Sequence, residues 1–237
     1  MKNNNYKNFL ILRPTTGMDV DSNGIPIIKK MNKEYFNKNS LKVTNFKNLN
    51  SIIDRDNTIL DMFNYDDVLN YIWKDPFKYI AKFTGLLAIA SPDFSIYPGM
   101  SKYEIEHNVF KSRWTGAVWQ MHGLDVIPTV SWAGPETYDI CFSGLEKDSV
   151  VIISTLGVGE NTGMFLNGFS ELRKRVNPPL FIVIGKIIDG MEGNFLVYNL
   201  IDTFNQRKKF ETLSFFDNGV ISKEGDETLY GWKRIVY

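Results

Sequence analysis

The chain has 237 residues, enough for one large domain or a domain with appendages, and enough to bury a substantial core. Its 27 basic and 27 acidic residues balance, which argues against binding of nucleic acid by bulk electrostatic attraction but leaves a local basic patch possible. The single cysteine, Cys141, excludes an intrachain disulfide and, with no signal-peptide pattern, favours a cytoplasmic protein. No apolar run approaches the ~20 residues that span a bilayer, so we expect no membrane partner.

The first 57 residues differ in composition from the rest of the chain. They are rich in Asn and Lys, contain turn-forming sequence such as DVDSNGIP, and have weak apolar periodicity. We predict that residues 1–57 form an irregular N-terminal extension that packs on the main domain and adds little to its core. Within it, NFLILRP could form a strand ending at Pro14. A parallel α/β core is predicted over residues 58–188, and residues 189–237 are expected to be a C-terminal extension that completes the same domain.

Apolar runs and helical patterns alternate from Thr58 to Ile187. The first strand is expected at TILDMF, followed by a helix that Pro76 breaks or restarts. A strand at GLLAIASPDF precedes a long helix with Ser101 as N-cap and Glu104 in the capping-box position. The remaining predicted elements are a strand at LDVIPTVSW, a short helix at PETYDICFSGL, a strand at SVVIISTLGV, a helix at NTGMFLNGFSELRKRVNPP and a strand at LFIVIGKI.

This alternation predicts an α/β fold with a parallel sheet. Strands that are apolar at consecutive positions are buried on both faces, and strands joined through a helix run parallel. Right-handed crossovers leave two arrangements open, a doubly wound sheet and a TIM-barrel-like sheet, the latter in an incomplete or atypical form. A closed barrel has about eight strands, whereas five are predicted, so FLILRP and part of the tail would have to complete it.

Four stretches of the main domain resemble the consensus of a known family: SPDFSIYPGM, SRWTGAVWQ, GLDVIPTVSWAGPETYDICFSGL and VVIISTLGV. The similarity covers Leu60 to Lys186 and leaves out both ends of the chain. The family is an uncharacterised bacterial and bacteriophage domain of unknown function. The resemblance implies an association with phages, plasmids and other mobile elements, and it implies no activity.

Three carboxylates follow predicted strands and are the candidate catalytic residues. Ligands of parallel α/β sheets bind beyond the carboxyl ends of the strands, where loops meet helix N-termini. This rule selects Asp61, Asp93 and Glu136. Asp93 and Asp61 are each interpreted as a functional carboxylate or as a turn cap. Glu136 either pairs with Asp93 in acid–base chemistry or only stabilises the first turn of a helix.

Further residues near the same strand ends are candidate ligand-binding groups: Ser95, Arg113, Trp132, Thr155 and Lys186. Trp132 is expected at the mouth of the sheet beside Asp93, where it would stack on a sugar or base or simply close the sheet. Arg113 would clamp a phosphate or carboxylate, or bind the carbonyl groups at a helix end.

No motif in the sequence identifies a metal site or a nucleophile. His107, His122 and Cys141 lack zinc-site spacing, so no metal ligand is assigned, although the carboxylates Asp61, Asp93 and Glu136 could hold a hard cation such as magnesium in the enzyme hypothesis. The GVGENTG stretch misses the dinucleotide-binding glycine pattern by one residue, and Ser143 lacks the context of a hydrolase elbow. The basic runs ELRKRVN and NQRKKF are either nucleic-acid contacts or solvated helix ends.

Three classes of function therefore stay open: an enzyme, a non-catalytic binding module of a mobile element, and a structural protein without a pocket. The cofactor is unknown, and the expected partner is an unknown small molecule, a nucleic acid, or a host or phage protein. Convergence of Asp61, Asp93 and Glu136 in an open cleft favours the enzyme. Carboxylates that are capped and covered favour a binding surface.

Overall fold

The computed structural model describes residues 12–37 and 40–198. The strands are β1 Lys42–Asn45, β2 Thr58–Asp61, β3 Ala88–Ala90, β4 Val126–Ile127, β5 Val151–Ser154, β6 Phe181–Ile184 and β7 Phe195–Tyr198. The α-helices are α1 Asp66–Lys74, α2 Ile80–Phe83, α3 Lys102–Met121, α4 Tyr138–Cys141 and α5 Thr162–Val176. Short 3-10 helices lie at Lys33–Phe36, Phe46–Ser51, Arg55–Asn57, Pro76–Tyr79, Pro135–Thr137 and Gly159–Asn161. Half of the predicted FLILRP strand, residues 9–11, and all of NQRKKF lie outside the described residues, and residues 12–14 form no strand.

The strands form two parallel sheets, which confirms the α/β class. β1, β2, β3 and β4 form the first sheet and β5, β6 and β7 the second, and every ladder is parallel. One parallel bridge, between Thr129 and Ile152, connects the two sheets. β4 has only two residues, and Pro128, which follows it, has no N–H to donate to a ladder.

Strand order follows chain order through both sheets without a reversal. The Val130 N–H donates to the Ile152 carbonyl at 3.0 Å, and the Ile152 N–H donates to the Pro128 carbonyl at 3.1 Å. The residues that follow β4 therefore lie beside β5 and pair with it. Across residues 12–37 and 40–198 no ladder pairs β1 with β7, and the sheet is therefore not closed by these strands.

The predicted helix signals agree with the helix boundaries. Ser101 caps α3 as expected, because its Oγ accepts the Glu104 N–H at 3.3 Å while the Glu104 carboxylate accepts the Ser101 N–H at 3.2 Å. α1 ends one residue before Asp75, and Pro76 opens a 3-10 helix there. Among the described helices, none is both long enough and apolar enough to cross a membrane.

Two hydrophobic clusters fill the core, one on each face of the second sheet. Ile152, Ile182 and Ile184 belong to the same cluster as Ile59 and Ile89 of the first sheet. The alternate side chains of β5 and β6 point the other way, into a cluster that includes helix α5. Successive residues of a strand point to opposite faces, so each buried strand contributes to both clusters.

The N-terminal segment contributes more to the core than predicted. β1 is the edge strand of the first sheet, where the sequence indicated only irregular structure. Ile28 is fully buried, and Met31 and Phe36 join the same cluster, so the expectation of little core burial is wrong. An irregular chain can bury single apolar side chains without any periodicity, so the apolar pattern of this segment does not predict their burial.

Candidate functional site

Polar side chains gather at the carboxyl ends of the first four strands. Asn45 ends β1 and Asp61 ends β2, while Asp93 follows β3 and Ser131 follows β4. The loops are tied together, because the Asp93 N–H donates to the Met62 carbonyl at 3.4 Å. Adjacent parallel strands bring their carboxyl ends to one edge, which we call the carboxyl edge.

Asp61 is a buried carboxyl group with only half of its oxygens satisfied. Its side chain is 1% exposed, and Oδ1 accepts the Asn45 Nδ2–H at 2.7 Å and the Phe63 N–H at 3.1 Å. Among the described residues, no donor reaches Oδ2. The pKa of Asp61 is raised to about 7: burial raises it most, the two hydrogen bonds lower it, and the negative charge of Asp93 adds a smaller increase. Asp61 therefore changes protonation near neutral pH.

Two asparagines, which the sequence did not single out, complete the network around Asp61. Asn64 Nδ2 donates to Asn45 Oδ1 at 3.2 Å, and Asn45 Nδ2 also donates to the Phe63 carbonyl at 3.0 Å. Asn64 Oδ1 is buried and, in the described part of the chain, meets no donor. The network thus holds two buried oxygens that lack donors, and such groups are costly unless something satisfies them. Asn45 lies in an Asn-rich segment, so nothing in the sequence pattern separates it from the other asparagines there.

Asp93 lies beside Ser131, as the shared carboxyl edge requires. The Ser131 hydroxyl donates to Asp93 Oδ1 at 2.5 Å, and Asp93 is 8% exposed. A cavity of about 10 Å³ adjoins both residues and is also lined by Asn108, Ser112 and Phe94. That volume holds about one water molecule, so no larger ligand fits without movement of the lining.

Arg113 is a buried cation that binds carbonyl groups. It donates to the carbonyls of Thr129 at 2.7 Å, Ser143 at 3.0 Å and Cys141 at 3.1 Å. Burial lowers the pKa of Arg113 to about 10, so it stays charged at neutral pH, where it interacts with Asp93. Two of the three carbonyls lie at the end of α4, which matches the helix-end interpretation of this residue. Burial raises the pKa of the neighbouring Cys141 thiol to about 11.

Trp132 closes the sheet and offers no open stacking face. It is 8% exposed, and its ring lies 5.1 Å from Phe165 and 6.0 Å from Phe142. Its indole rests directly on Gly168 of α5, where a methyl group would overlap it. Trp132 follows Ser131, so it stands at the predicted edge near Asp93, but as a covered plug.

Three other predicted ligand-binding residues bind the protein itself or face solvent. Ser95 donates through its hydroxyl and its N–H to Asp66 Oδ1, at 3.0 and 3.1 Å. Thr155 links the ends of β5 and β6, because its hydroxyl donates to the Lys186 carbonyl at 2.7 Å and accepts the Lys186 N–H at 2.9 Å. The Lys186 side chain is exposed.

Glu136 stands apart from the other two carboxylates. It is exposed in the 3-10 turn Pro135–Thr137, and its carboxylate folds back over Gly134. Within residues 12–37 and 40–198, no hydrogen bond or ion pair joins it to Asp61 or Asp93. The structure therefore brings together two of the three predicted catalytic carboxylates, and it covers both.

The basic run on α5 is neutralised by acidic side chains. Arg173 pairs with Glu192 at 3.0 Å, and Arg175 pairs with Glu171 and Asp139, each at 2.6 Å. Lys174 also approaches Glu171, at 3.7 Å. These contacts favour the solvated-helix interpretation over a nucleic-acid contact. In the described part of the chain, no group of three or more His, Cys, Asp or Glu residues has a metal-binding arrangement.

Comparison with known proteins gives a family and two phage relatives. Residues 19–204 match the family described as Domain of unknown function (DUF4417). The chain is 34% identical over 131 residues to the Gene 1 protein of Mycobacterium phage D29, covering 54% of this chain and 48% of that protein. It is 37% identical over 118 residues to the Gene 1 protein of Mycobacterium phage L5, covering 48% and 52%. The chain thus spans about half the length of these curated relatives, and no solved structure matches it. The predicted similarity to a phage-associated domain of unknown function is confirmed.

Proposed function

This chain belongs to the family of Domain of unknown function (DUF4417), and because that description names no reaction, we propose a function from the geometry of the carboxyl edge. The domain binds a small polar ligand at the ends of β1 to β4, and Asp61 exchanges a proton with it. Asp93 is the second carboxylate of the site, and Asn45 orients Asp61.

One observation carries the proposal, namely the buried Asp61 Oδ2 that has no donor among the described residues. A purely structural carboxyl group at this depth would be expected to have both oxygens hydrogen-bonded. A carboxyl group in a general acid–base site instead needs a free oxygen and a pKa near the working pH. Asp61 meets both requirements, and burial is the main cause of its raised pKa.

The carboxyl edge is closed, and ligand entry must open it. The cavity of about 10 Å³ beside Asp93 is lined by Phe94 and Ile96 of the segment after β3. A ligand larger than one water molecule therefore requires these side chains to move. Hydrogen bonds at catalytic sites often tighten only once the ligand is bound, so a closed free form is compatible with acid–base chemistry.

A second candidate function is a non-catalytic binding module of a phage protein. The observation that favours it is that Asp61 and Asp93 are covered instead of facing an open cleft. Because Arg173 and Arg175 are already ion-paired with acidic side chains, a protein is favoured over a nucleic acid as the partner of such a module. In this case, substitutions at the carboxyl edge would change stability and leave binding intact.

We also propose that the sheet is an incomplete barrel of the TIM type. Two features support this arrangement over a doubly wound sheet. Strand order never reverses, whereas a doubly wound sheet has a switch point. Side chains from both sheets, with Val43 of β1 and the partly buried Leu196 of β7, share one core cluster. A cytoplasmic location and an association with plasmids remain proposals from the sequence.

The test is a thermal-shift screen of small acids, sugars and nucleotides on the wild-type chain and three variants. A ligand of the carboxyl edge stabilises the native state, by about 2.7 kcal/mol at a hundredfold excess over Kd. We expect this shift in the wild type and in the matched control Asp67→Asn, an exposed residue of α1. We expect it to be lost in Asp61→Asn and Asp93→Asn.

Proton exchange is then checked by calorimetry of the same ligand in two buffers that differ in ionisation enthalpy. The proposal expects a binding enthalpy that depends on the buffer in the wild type and not in Asp61→Asn. A ligand that stabilises all four proteins equally, or whose binding enthalpy is the same in both buffers, would contradict it.

A further inference from the structure

Lys111 of α3 is a buried ammonium group without a carboxylate partner. The residue is only 6% exposed. Its Nζ donates to Asn70 Oδ1 at 3.3 Å and lies 3.8 Å from the centre of the Phe94 ring. Among the described residues, no Asp or Glu forms an ion pair with it. Lysines are almost never fully buried unless they are paired, so this placement has a cost that needs a reason.

Burial opposes the charge of Lys111, whereas Asn70 Oδ1 and the Phe94 ring stabilise the ammonium form. Burial lowers the pKa of Lys111, and the charge of Asp66 on α1 opposes that effect only in part. Asp66 Oδ1 is itself occupied by Ser95. The other titratable neighbour is His107, one turn earlier on α3, whose pKa is lowered by burial and then by Lys111. An amine in apolar surroundings is a nucleophile, as in lysines that attack carbonyl compounds.

Lys111 adjoins the carboxyl edge. Asn108 and Ser112, on the same stretch of α3, line the cavity beside Asp93. Phe94 also lines this cavity, and its ring is the one that contacts Lys111 Nζ. The side chains that must move to admit a ligand to Asp93 therefore include the ring that holds the amine in place.

We propose that Lys111 is the reactive amine of this site and forms an imine with a small aldehyde or ketone. This inference rests on the proposed function, since it names the class of ligand that the carboxyl edge would take. The neutral amine attacks the carbonyl carbon, the carbonyl oxygen takes up a proton, and the resulting carbinolamine loses water to leave the C=N bond. No oxidant or reductant is required.

The experiment is reductive trapping with acetaldehyde and cyanoborohydride on the full chain at pH 7, read at each lysine by quantitative mass spectrometry. The matched internal control is Lys102, on the same helix, whose side chain is 80% exposed. We expect Lys111 to be ethylated faster than Lys102 at pH 7, because burial lowers the pKa of Lys111 and so raises its neutral, reactive fraction.

Labelling of Lys111 at or below the rate of Lys102 at pH 7, or only after addition of denaturant, would overturn the inference. Lys111→Arg keeps the cation over Phe94 and removes the amine, so no adduct should form at this position. The trapping experiment and the Asp61 ligand-binding experiment test the two proposals independently. Absent trapping together with an Asp61-dependent ligand shift overturns only the inference about Lys111, whereas trapping without Asp61 dependence overturns the proposed function.

Discussion

At the scale of one residue, opposing effects act on the charge of the buried Asp61 carboxyl group. Asn45 and the Phe63 N–H stabilise its charged form through Oδ1, while burial and the charge of Asp93 oppose that form. Together these effects give Asp61 a pKa of about 7. A change of one proton at this residue therefore alters the stability of the fold.

The stability of the wild type should fall as pH rises from about 4 to about 7, because of Asp61. Its pKa is about 7 in the folded chain, against about 3.9 in the unfolded chain. Between these values the folded state holds a proton that the unfolded state has lost, so stability is full below pH 4 and is lost toward pH 7. The loss is on the order of 4 kcal/mol, if the other groups are unchanged.

Asp61→Asn should remove this slope, because the amide does not titrate. Urea unfolding from pH 4 to pH 8 measures how the free energy of unfolding changes with pH. Asp67→Asn is the exposed control and should follow the wild type. Relative to the wild type, Asp61→Asn should gain stability as pH rises. Equal slopes in Asp61→Asn and the wild type would show that this carboxyl group does not titrate in that range.

At the scale of elements, glycines allow two helices to approach their neighbours. Gly116 of α3 lies under Ile28, and Gly168 of α5 lies under Trp132. Neither helix could come so close with a larger side chain at these positions. The N-terminal segment that carries Ile28 is thus fitted to α3 and is not loosely attached to it.

Gly116→Ala should destabilise the protein even though alanine favours helices. A Cβ at this position would lie 2.5 Å from Ile28 Cδ1 and 3.3 Å from Ser91 Cβ. The overpacking cost of about 1–3 kcal/mol exceeds the helix gain of at most about 1 kcal/mol. We expect a net loss of about 1–2 kcal/mol in the free energy of unfolding by urea denaturation.

The matched control is Gly163→Ala in α5, where nothing lies within 4 Å of the added Cβ. It should be neutral or should stabilise by up to about 1 kcal/mol. Ile28→Val removes the clashing Cδ1, so the double variant Gly116→Ala with Ile28→Val should lose less stability than the two single changes together. Additive losses would mean that Ile28 does not press on Gly116.

At the scale of the whole molecule, two short sheets act as one because a single bridge joins them. Pro128 ends β4 early, yet the backbone of Thr129 and Val130 continues to pair with β5. The order of the strands is sequential from β1 to β7. Whether such a sheet curls into a barrel depends on how closely its two edges approach.

Spin labels on the edge strands test the incomplete barrel. Lys42 of β1 and Val197 of β7 are both exposed and accept cysteine without loss of core packing. A flat sheet would separate them by six strand spacings, about 29 Å, whereas a barrel with one strand missing brings them within about 15 Å. Double electron–electron resonance on the doubly labelled chain measures this distance. A broad distribution centred near the flat-sheet value would contradict the barrel.

The sequence by itself determined most of the local elements between Thr58 and Ile187 and the edge of the sheet at which Asp61 and Asp93 lie. Consecutive apolar residues, the capping box at Ser101 and the stop at Pro76 are local signals, and the structure agrees with each of them. The alternation of strands and helices was enough to put Asp61 and Asp93 at one edge, because strands joined through helices run parallel.

Only the tertiary structure decided which side chains meet at that edge and which are covered. Asn45 reaches Asp61 across 16 residues of chain, and Lys111 reaches Asn70 across 41, so no local pattern announces either contact. Glu136 and Trp132 follow the same strand, yet one turns to solvent and the other rests on Gly168. Burial and hydrogen-bond partners depend on segments brought together by folding, and burial is the main cause that raises the pKa of Asp61 and lowers the pKa of Lys111.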